Sequence, residues 1–215
     1  MIVAYESVFA KKKGDLLNLN WIDVSGITDM SWLFEWANYN YDVSRWDVSN
    51  VKDMHAIFYG AYFFNCDLSK WDVSNVENFL AAFCHCELFN QNISNWNLSS
   101  ATKTSEMFSQ CKSFNQDLSK WNVSNVKSMR GMFEYCREFN SDLSNWNVSN
   151  AIDMSKMFEG CVRFNSNIGN WDVSNVVNMY GMFHKCEKFN QDLSRWNVSN
   201  CTSMDYMFNG CYEFL

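Results

Sequence analysis

Proline is absent from this chain of 215 residues, and only 8 glycines are present. Linkers and low-complexity tails are rich in these residues, so their scarcity excludes domains joined by flexible connectors. No apolar run approaches the ~20 residues that a membrane-spanning helix needs. The first nine residues lack the basic start and long apolar stretch of a secretory signal, so we expect a soluble chain without an export signal.

Basic stripes and catalytic motifs are also missing. The net charge of -7 and the pI near 4.9 argue against binding to nucleic acid or to an acidic membrane. No phosphate loop, HExxH or GxSxG motif occurs, and His55, His85 and His184 stand in separate segments without a nucleophile motif. We therefore expect a protein that is not an enzyme, has no cofactor, no metal site and no nucleic-acid partner, and does not insert into a membrane.

What the sequence does contain is a repeat of 25 residues, most visible in one tryptophan column. Its members are Trp46, Trp71, Trp96, Trp121, Trp146, Trp171 and Trp196. Ile22 takes the same position one copy earlier, at a spacing of 24, which gives about eight copies. A fixed period of this length predicts a solenoid, in which each copy buries its apolar face against the next.

Each copy predicts a short strand followed by a helix. Leu118, Trp121 and Val123 alternate with polar residues, as in a strand with one buried face. From Val126 onward, the apolar residues follow spacings of 3 and 4 that favour about three helical turns. Ser124 and Asn125 are suitable caps for that helix, and Ser74 with Glu77 forms a capping box in the third copy.

The two ends of the repeat array differ. Residues 1–21 form a degenerate half copy that predicts an N-terminal cap, because Lys12, within Lys11-Lys12-Lys13, stands where the consensus has the core residue Cys86. Residues 22–215 form the solenoid, with an incomplete last copy. That copy keeps the apolar consensus, so we expect an uncapped apolar end. It would be either a terminal interface through Phe208, Cys211, Phe214 and Leu215 or a cut within a longer array.

One copy carries a family resemblance. It reads Met132-Phe133-x-x-Cys136-x-x-Phe139-Asn140-x-Asp142-Leu143-Ser144-x-Trp146-Asn147-Val148-Ser149-Asn150. This pattern resembles the repeat of BspA-like leucine-rich-repeat surface proteins, the bacterial surface-protein variety of about 25–26 residues, across residues 22–215. The resemblance implies an α/β solenoid: a right-handed leucine-rich-repeat-like coil with a parallel sheet on one face and short helices on the other. It implies interaction or adhesion at a cell surface or virion, and no catalytic residues.

Three polar or aromatic columns have competing interpretations. The tryptophans could form an exposed stripe for sugars, but the Leu-x-x-Trp-x-Val setting favours a core position. The asparagine column from Asn65 to Asn190 could bind a ligand, but a stacked amide ladder that satisfies turn backbone groups is favoured. The acidic column of Asp67, Asp117, Asp142 and Asp192 is interrupted by asparagine, which favours turn formation over a calcium site.

The nine cysteines divide into two groups. Six occupy one column at a spacing of 25 and are predicted to be free thiols in the core: Cys86, Cys111, Cys136, Cys161, Cys186 and Cys211. Cys201 is also predicted to be a core residue, whereas Cys66 and Cys84 stand in polar columns and are predicted to be exposed and able to react. Cys84-His85-Cys86 lacks the paired spacing of a zinc site. So many unpaired thiols favour a reducing compartment, against the surface location that the resemblance implies.

A polar sheet face is the candidate binding surface. If the tryptophans face inward, the residues on either side of each one face outward on the predicted sheet. These residues are Arg45, Asp47, Lys70, Asp72, Asn95, Asn97, Lys120, Asn122, Asn145, Asn147, Asn170, Asp172, Arg195 and Asn197. At ~4.8 Å per strand, eight strands give a face roughly 35–40 Å long. An alternative is that these residues only keep the sheet solvated.

Two functions therefore stay open. The first is a non-catalytic recognition or adhesion protein that binds a protein or glycan ligand through the polar face. The second is a structural element of a surface layer or particle that self-associates end to end through its terminal interface.

Overall fold

The computed structural model describes residues 15–214. Its strands are β1 (Leu16–Asn18) and β2 (Asn40–Asp42), which pair in parallel with Leu16 opposite Asn40. Beyond them, one residue from each successive copy forms a parallel bridge to the next. The bridged residues are Asp29, Asp53, Asn78, Lys103, Ser128, Asp153, Asn178 and Ser203. We call the segments that begin at these residues coils one to eight.

The α/β architecture with short helices is wrong. Between residues 15 and 214 the only regular elements are the two strands, and the segments predicted as helices are runs of turns. In coil five, the backbone N–H groups of Met132 and Cys136 donate to carbonyls three residues earlier, at 3.1 and 2.9 Å. An α-helix needs bonds to the fourth preceding residue, so this backbone is a series of tight turns.

Alternate backbone groups in the same segment point along the stack of coils. The N–H groups of Met129, Gly131, Phe133 and Tyr135 donate to carbonyls of coil six at 2.6–2.9 Å. This alternation requires left-handed backbone at two positions of every coil, which are Gly131 and Tyr135 in coil five, with φ of 57° at both. The turn segment therefore forms a ladder to the next coil, and no helix can form there.

The predicted strand at each tryptophan is also wrong. Around Trp121, the chain makes turns in which the N–H groups of Trp121 and Val126 donate to the carbonyls of Leu118 and Val123, both at 3.0 Å. The column that forms parallel bridges lies farther along each copy, at Lys103 and Ser128. The caps predicted at Ser124 and Asn125 have other roles, since the Ser124 N–H donates to Asn122 and the Asn125 side chain donates to the carbonyl of Ser99.

The core consists of aromatic columns stacked along the coil axis. Phe133 lies 5.8 Å from Phe108 and 5.8 Å from Phe158, ring centre to ring centre, with planes within 6° of parallel. Six of the seven tryptophans are buried and Trp196, in the last complete coil, is half-buried. Each indole N–H donates to a carbonyl of the preceding coil, as Trp121 does to Ile93 at 3.1 Å. The predicted core role of the tryptophans is confirmed.

The asparagine column forms the predicted amide ladder. The side-chain oxygen of each asparagine accepts the backbone N–H of the asparagine one coil later, at 2.8–3.0 Å. The acidic column also forms turns as predicted: the Asp117 and Asp142 carboxylates accept the N–H of the serine two residues on, both at 2.9 Å. These bonds lower the pKa of each carboxyl group below its ordinary value. The asparagine ladder thus joins successive coils, whereas the aspartate bonds form turns within one coil.

The cysteine predictions are confirmed in part. The six column cysteines are free, and all but the half-buried Cys211 are buried. Each donates its thiol to a phenylalanine carbonyl 28 residues earlier, at 2.9–3.0 Å. Burial raises the pKa of Cys211 to about 11 and raises that of the other five well above the ordinary value. Cys201 is half-buried against the core.

The predicted exposure of Cys66 and Cys84 is wrong. Both thiols are buried, and burial raises the pKa of Cys66 to about 11 and that of Cys84 to about 12. Cys66 turns inward because its column supplies an acceptor for a backbone group: the Val43 N–H donates to its sulfur at 3.4 Å, as the Leu118 N–H donates to Ser141 at 2.9 Å. Neither thiol is reactive as the polar columns suggested.

The predicted ends lie partly outside the described part of the chain. Residues 1–14 of the predicted cap 1–21, with Lys11, Lys12 and Lys13, are among the residues that the structure does not describe, and Leu215 is another. Near the start of the described residues, an apolar cavity of about 580 Å³ is lined by residues before coil one and within it, among them Trp21, Ile27 and Leu33. The boundary at residue 22 stays a prediction.

Candidate functional site

The residues of the predicted polar face are all exposed, although the sheet that should carry them is absent. The residue after each tryptophan has a structural role. All seven accept the backbone N–H of a serine two residues later, at 3.0–3.1 Å: Asp47, Asp72, Asn97, Asn122, Asn147, Asp172 and Asn197. These turns shape the coil, so half of the predicted binding set is part of the framework.

The residue before each tryptophan projects into solvent. These seven form what we call the polar ridge: Arg45, Lys70, Asn95, Lys120, Asn145, Asn170 and Arg195. One side-chain bond runs along it, from Arg195 Nη1 to Asn170 Oδ1 at 3.1 Å. The ridge repeats only three residue types, so it presents nearly the same polar chemistry in every coil.

The predicted terminal interface is half-buried within the last coil. Phe208 stacks on Phe183 at 5.8 Å, Phe214 stacks on Phe189 at 5.7 Å, and Phe208 and Phe214 stack on each other at 4.3 Å. Cys211 donates to the carbonyl of Phe183 at 2.9 Å. The role of this surface in self-association stays a prediction, and Leu215 lies outside the described residues.

Sequence reasoning missed the surface beside the turn ladder. In the described residues, positive φ occurs only at two positions of each coil, and we call these the left-handed columns. The first column is Trp32, Ala56, Ala81, Glu106, Gly131, Lys156, Gly181 and Tyr206, and the second is Trp36, Gly60, His85, Gln110, Tyr135, Gly160, Lys185 and Gly210. Five of the 8 glycines fall in these two columns, which lie four positions apart in the repeat, and this placement of glycine is a signal against a helix.

The left-handed columns and the residue before each member form one surface, which we call the variable face. The preceding residues are Ser31, His55, Leu80, Ser105, Arg130, Ser155, Tyr180 and Asp205 for the first column, and Glu35, Tyr59, Cys84, Ser109, Glu134, Glu159, His184 and Asn209 for the second. Contacts across coils join them, such as Trp32 with Tyr59 and Tyr135 with Glu159. Nearly every coil presents a different set of side chains here, whereas the tryptophan, asparagine and phenylalanine columns repeat.

Large side chains on the variable face lie over glycines of the next coil. A Cβ atom at Gly60 would lie 2.3 Å from the Trp36 ring, and one at Gly160 would lie 2.4 Å from the Tyr135 ring. The absence of a side chain at Gly60 and Gly160 therefore makes room for these rings. The rings are held against the backbone instead of extending freely into water.

A charged network occupies the middle of the variable face. Lys156 Nζ lies 3.4 Å from Glu134 and 3.2 Å from Glu159, whose other oxygen accepts the Tyr135 hydroxyl at 3.0 Å. His184 Nδ1 lies 3.2 Å from that same oxygen. Burial, together with the nearby Glu159 charge, raises the pKa of Glu134 against the opposing effect of Lys156. Burial would also raise the pKa of Glu159, but bonds from Tyr135 and Lys156 outweigh it and lower that pKa.

All three histidines lie on the variable face. His55 packs edge-on against Trp32 at 4.8 Å, His85 stacks with Trp36 at 6.3 Å, and His184 contacts the charged network. No cluster of three or more side chains suited to hold a metal ion occurs within residues 15–214. In the same part of the chain, no helix has the length and apolar character needed to cross a membrane.

Comparison with known proteins identifies a family. The family described as Mycoplasma protein of unknown function, DUF285, matches residues 3–121, 67–166 and 141–215. The three overlapping matches agree with a repeated sequence unit. The resemblance predicted from the repeat is thus confirmed at the level of a repeat-type family related to BspA-like proteins. No curated protein matches the chain.

Proposed function

The chain belongs to the family described as Mycoplasma protein of unknown function, DUF285, and from that premise we propose that it is a non-catalytic recognition protein that binds a partner protein on its variable face. One observation carries the proposal. The backbone of the eight coils repeats the same two left-handed positions, while the side chains displayed there differ from coil to coil. A constant framework that carries a varied surface is an arrangement by which repeat proteins present a binding face.

The composition of the variable face supports protein recognition. Tryptophan, tyrosine and arginine dominate binding energy at protein interfaces. Trp32, Trp36, Arg130, Tyr180 and Tyr206 lie on this face and are exposed. At ~4.8 Å per coil, eight coils give a face about 35 Å long, comparable to one side of a stable interface.

The polar ridge is the competing surface for the same function. Its exposed Lys70 and Lys120 suit contacts with an acidic partner. However, the ridge has no aromatic anchor, and rim-like polar contacts contribute little affinity. We therefore assign recognition to the variable face and use the ridge as the matched control.

A more specific form of this proposal is adhesion, in which the partner lies at a cell surface. The repeat around Trp146 resembles that of BspA-like leucine-rich-repeat surface proteins, which favours a partner at a cell surface. The sequence also left open a glycan ligand on the polar face. In that case the binding residues would be the ones beside the tryptophans. Variants of the two surfaces separate these possibilities.

Capture with matched variants tests the proposal. A face variant would carry Trp36→Gly, Arg130→Ser and Tyr135→Gly, which copy the residues that other coils have in the same columns. A ridge variant would carry Lys70→Glu and Lys120→Glu. Parent and variants would be used to capture proteins from cell extracts and surface fractions, and each captured protein would then be purified and titrated directly against all three.

We expect a saturable partner that the ridge variant retains and the face variant loses. Retention by the face variant with loss by the ridge variant would contradict the proposal and support the polar ridge. Self-association alone, abolished when Phe208 and Phe214 are changed to serine, would contradict it in favour of the structural role. The unfolding midpoints of all variants would be measured first, so that loss of binding is not confused with loss of fold.

A further inference from the structure

Aromatic rings concentrate at one end of the variable face. The Tyr59 ring lies between two tryptophans, 5.9 Å from Trp32 and 5.4 Å from Trp36. His55 packs edge-on against Trp32, and His85 lies 5.8 Å from Tyr59. We call these five residues the aromatic cluster. Trp32 is 45% exposed and Trp36 is 59% exposed, so the cluster presents indole surface to solvent instead of burying it.

Core packing does not account for the two tryptophans. Both have left-handed backbone, with φ of 61° at Trp32 and 52° at Trp36. A bulky residue in this region is strained, and other coils place Gly131 and Gly160 in the same two columns. Eleven non-glycine residues of the described chain share this left-handed backbone, so the backbone alone does not set the two tryptophans apart. What sets them apart is that these two large rings, four residues apart in one coil, are left exposed to solvent.

The part of the described chain that holds the aromatic cluster is acidic in composition. Residues 15–102 contain eleven Asp and Glu residues against three Lys and Arg, whereas residues 103–214 contain twelve against eleven. On the variable face, coils one to three carry Glu35 and no Lys or Arg. Burial raises the pKa of Tyr59, and the charges of Glu106 and Glu35 contribute in the same direction. Glu35 and Glu106 thus lie close enough to the cluster for their charges to act on Tyr59.

We propose that the aromatic cluster, with Glu35, binds an arginine side chain from a basic segment of a partner protein. This inference rests on the proposed function and names the chemistry of the partner. A guanidinium stacks flat on an exposed indole and also offers paired N–H donors to a carboxylate. Glu35 is exposed and lies in the chain between Trp32 and Trp36, so stacking and ion pairing are available together.

Other occupants fit less well. An apolar side chain would remove the Glu35 carboxylate from water without a partner. Lysine is a compact, strongly hydrated charge that stacks on rings less well than the planar guanidinium does. The negative charge of residues 15–102 would also speed the approach of a basic segment.

A set of labelled peptides tests the proposal. The probe is a Gly-Ser peptide with arginine at regular intervals, compared with peptides of the same length that carry citrulline or lysine instead. Citrulline keeps the shape of arginine and lacks its charge. Binding to the parent chain would be followed by fluorescence anisotropy at low and high salt. We expect the arginine peptide to bind about tenfold more tightly than the citrulline peptide, with the lysine peptide between them, and to weaken as salt rises.

Variants locate the site. Trp32→Gly and Trp36→Gly together should weaken arginine-peptide binding about tenfold, and their fold is protected because glycine occupies both columns elsewhere. Glu35→Gln should weaken it severalfold without removing any ring. The controls are Tyr212→Ala, which removes an exposed ring at the other end of the chain, and Glu77→Gln, which removes an exposed charge outside the face. Both controls should bind as the parent does.

Two results would overturn the proposal. One is equal binding of the arginine and citrulline peptides, and the other is arginine-peptide binding that survives the paired tryptophan changes in a folded variant. Either result leaves the proposed function standing if a captured partner is still lost by a variant that carries only Arg130→Ser and Tyr135→Gly. Absence of any partner that depends on the variable face would instead contradict the proposed function itself.

Discussion

Trp121 in the fourth coil offers the sharpest test of how the coils hold together. Its ring is 3% exposed and stacks on Trp96 with centroids 6.4 Å apart and planes within 5°. Its indole N–H donates to the carbonyl of Ile93 in the preceding coil at 3.1 Å. Trp121→Ala removes the stacking, the packing and this bond together.

The expected loss of stability is about 4 kcal/mol. Burying a large ring stabilises by roughly 2–3 kcal/mol, and the cavity left in a packed core brings large-to-alanine changes to about 3–5 kcal/mol. The Ile93 carbonyl would also lose one of its two hydrogen bonds, at about 1 kcal/mol within that range, and would keep the bond from the Trp96 N–H at 3.1 Å. Trp121→Phe keeps a ring but loses the N–H donor, so we expect a smaller loss of about 1–3 kcal/mol.

Urea unfolding followed by circular dichroism and by fluorescence measures both changes. Because each coil contacts only its neighbours, the alanine variant should unfold in two steps, with the halves on either side of coil four separating. Trp196→Ala provides the control: this ring is only half-buried, so we expect about half the loss and a single step. A loss below about 1 kcal/mol for Trp121→Ala would refute the proposed contribution of the tryptophan column.

Three further predictions concern two glycines, the asparagine ladder and the buried Cys84. Gly160→Ala places a Cβ atom 2.4 Å from the Tyr135 ring, whereas the Cβ atom of Gly181→Ala meets nothing closer than 3.7 Å. Both positions have positive φ, so we expect thermal unfolding to show about 1 kcal/mol of destabilisation for Gly181→Ala and at least twice that for Gly160→Ala. Equal losses would contradict the ring contact. Asn115→Ala should cost about 1–2 kcal/mol because the next asparagine loses its backbone acceptor, and an unchanged urea midpoint would argue against the ladder. Burial raises the pKa of Cys84 to about 12, so the neutral thiol stabilises the fold fully below the unfolded pKa of about 8.5, and this stabilisation is lost as the pH rises toward about 12. Cys84→Ser should therefore lose less stability than the parent between about pH 8 and about pH 11. Identical pH profiles of stability would count against this burial.

Repetition made the buried columns predictable from sequence. A tryptophan or asparagine that returns every 25 residues must contact its own copy in the next coil, so the core role of Trp121 and the ladder through Asn115 follow from the spacing alone. The same logic found the buried cysteine column. It failed at Cys66, because this side chain turns inward to accept the backbone N–H of Val43, and the sequence does not reveal that this N–H needs an acceptor.

The secondary structure was mispredicted for a physical reason. The run of turns, with bonds to the third preceding residue, buries side chains at spacings of 3 and 4, as at Met129, Met132 and Cys136. A helix buries residues at spacings of 3 and 4, so the two patterns are nearly indistinguishable in apolar residues. Glycine distinguishes them: Gly131 and Gly181 share one left-handed column, and Gly160 shares the other.

The variable face escaped prediction because the repeat consensus drew attention to what the copies share. Positions that differ, such as Trp36, His85 and Tyr135, lie outside that consensus, and the sequence assigned them no binding role. In the turn backbone they share a left-handed column and contact side chains of other coils. The differences between copies within one sequence were the available signal.

The display of the variable face depends on the turn backbone, and nuclear magnetic resonance of residues 128–139 tests that backbone most directly. We predict no continuous run of helical Cα shifts, left-handed shifts at Gly131 and Tyr135, and a nuclear Overhauser contact between the Phe133 N–H and the Hα of Met157, whose carbonyl it bonds. A continuous helical run from Met129 to Cys136, without the contact to Met157, would contradict the ladder, the left-handed columns and the surface assigned to recognition.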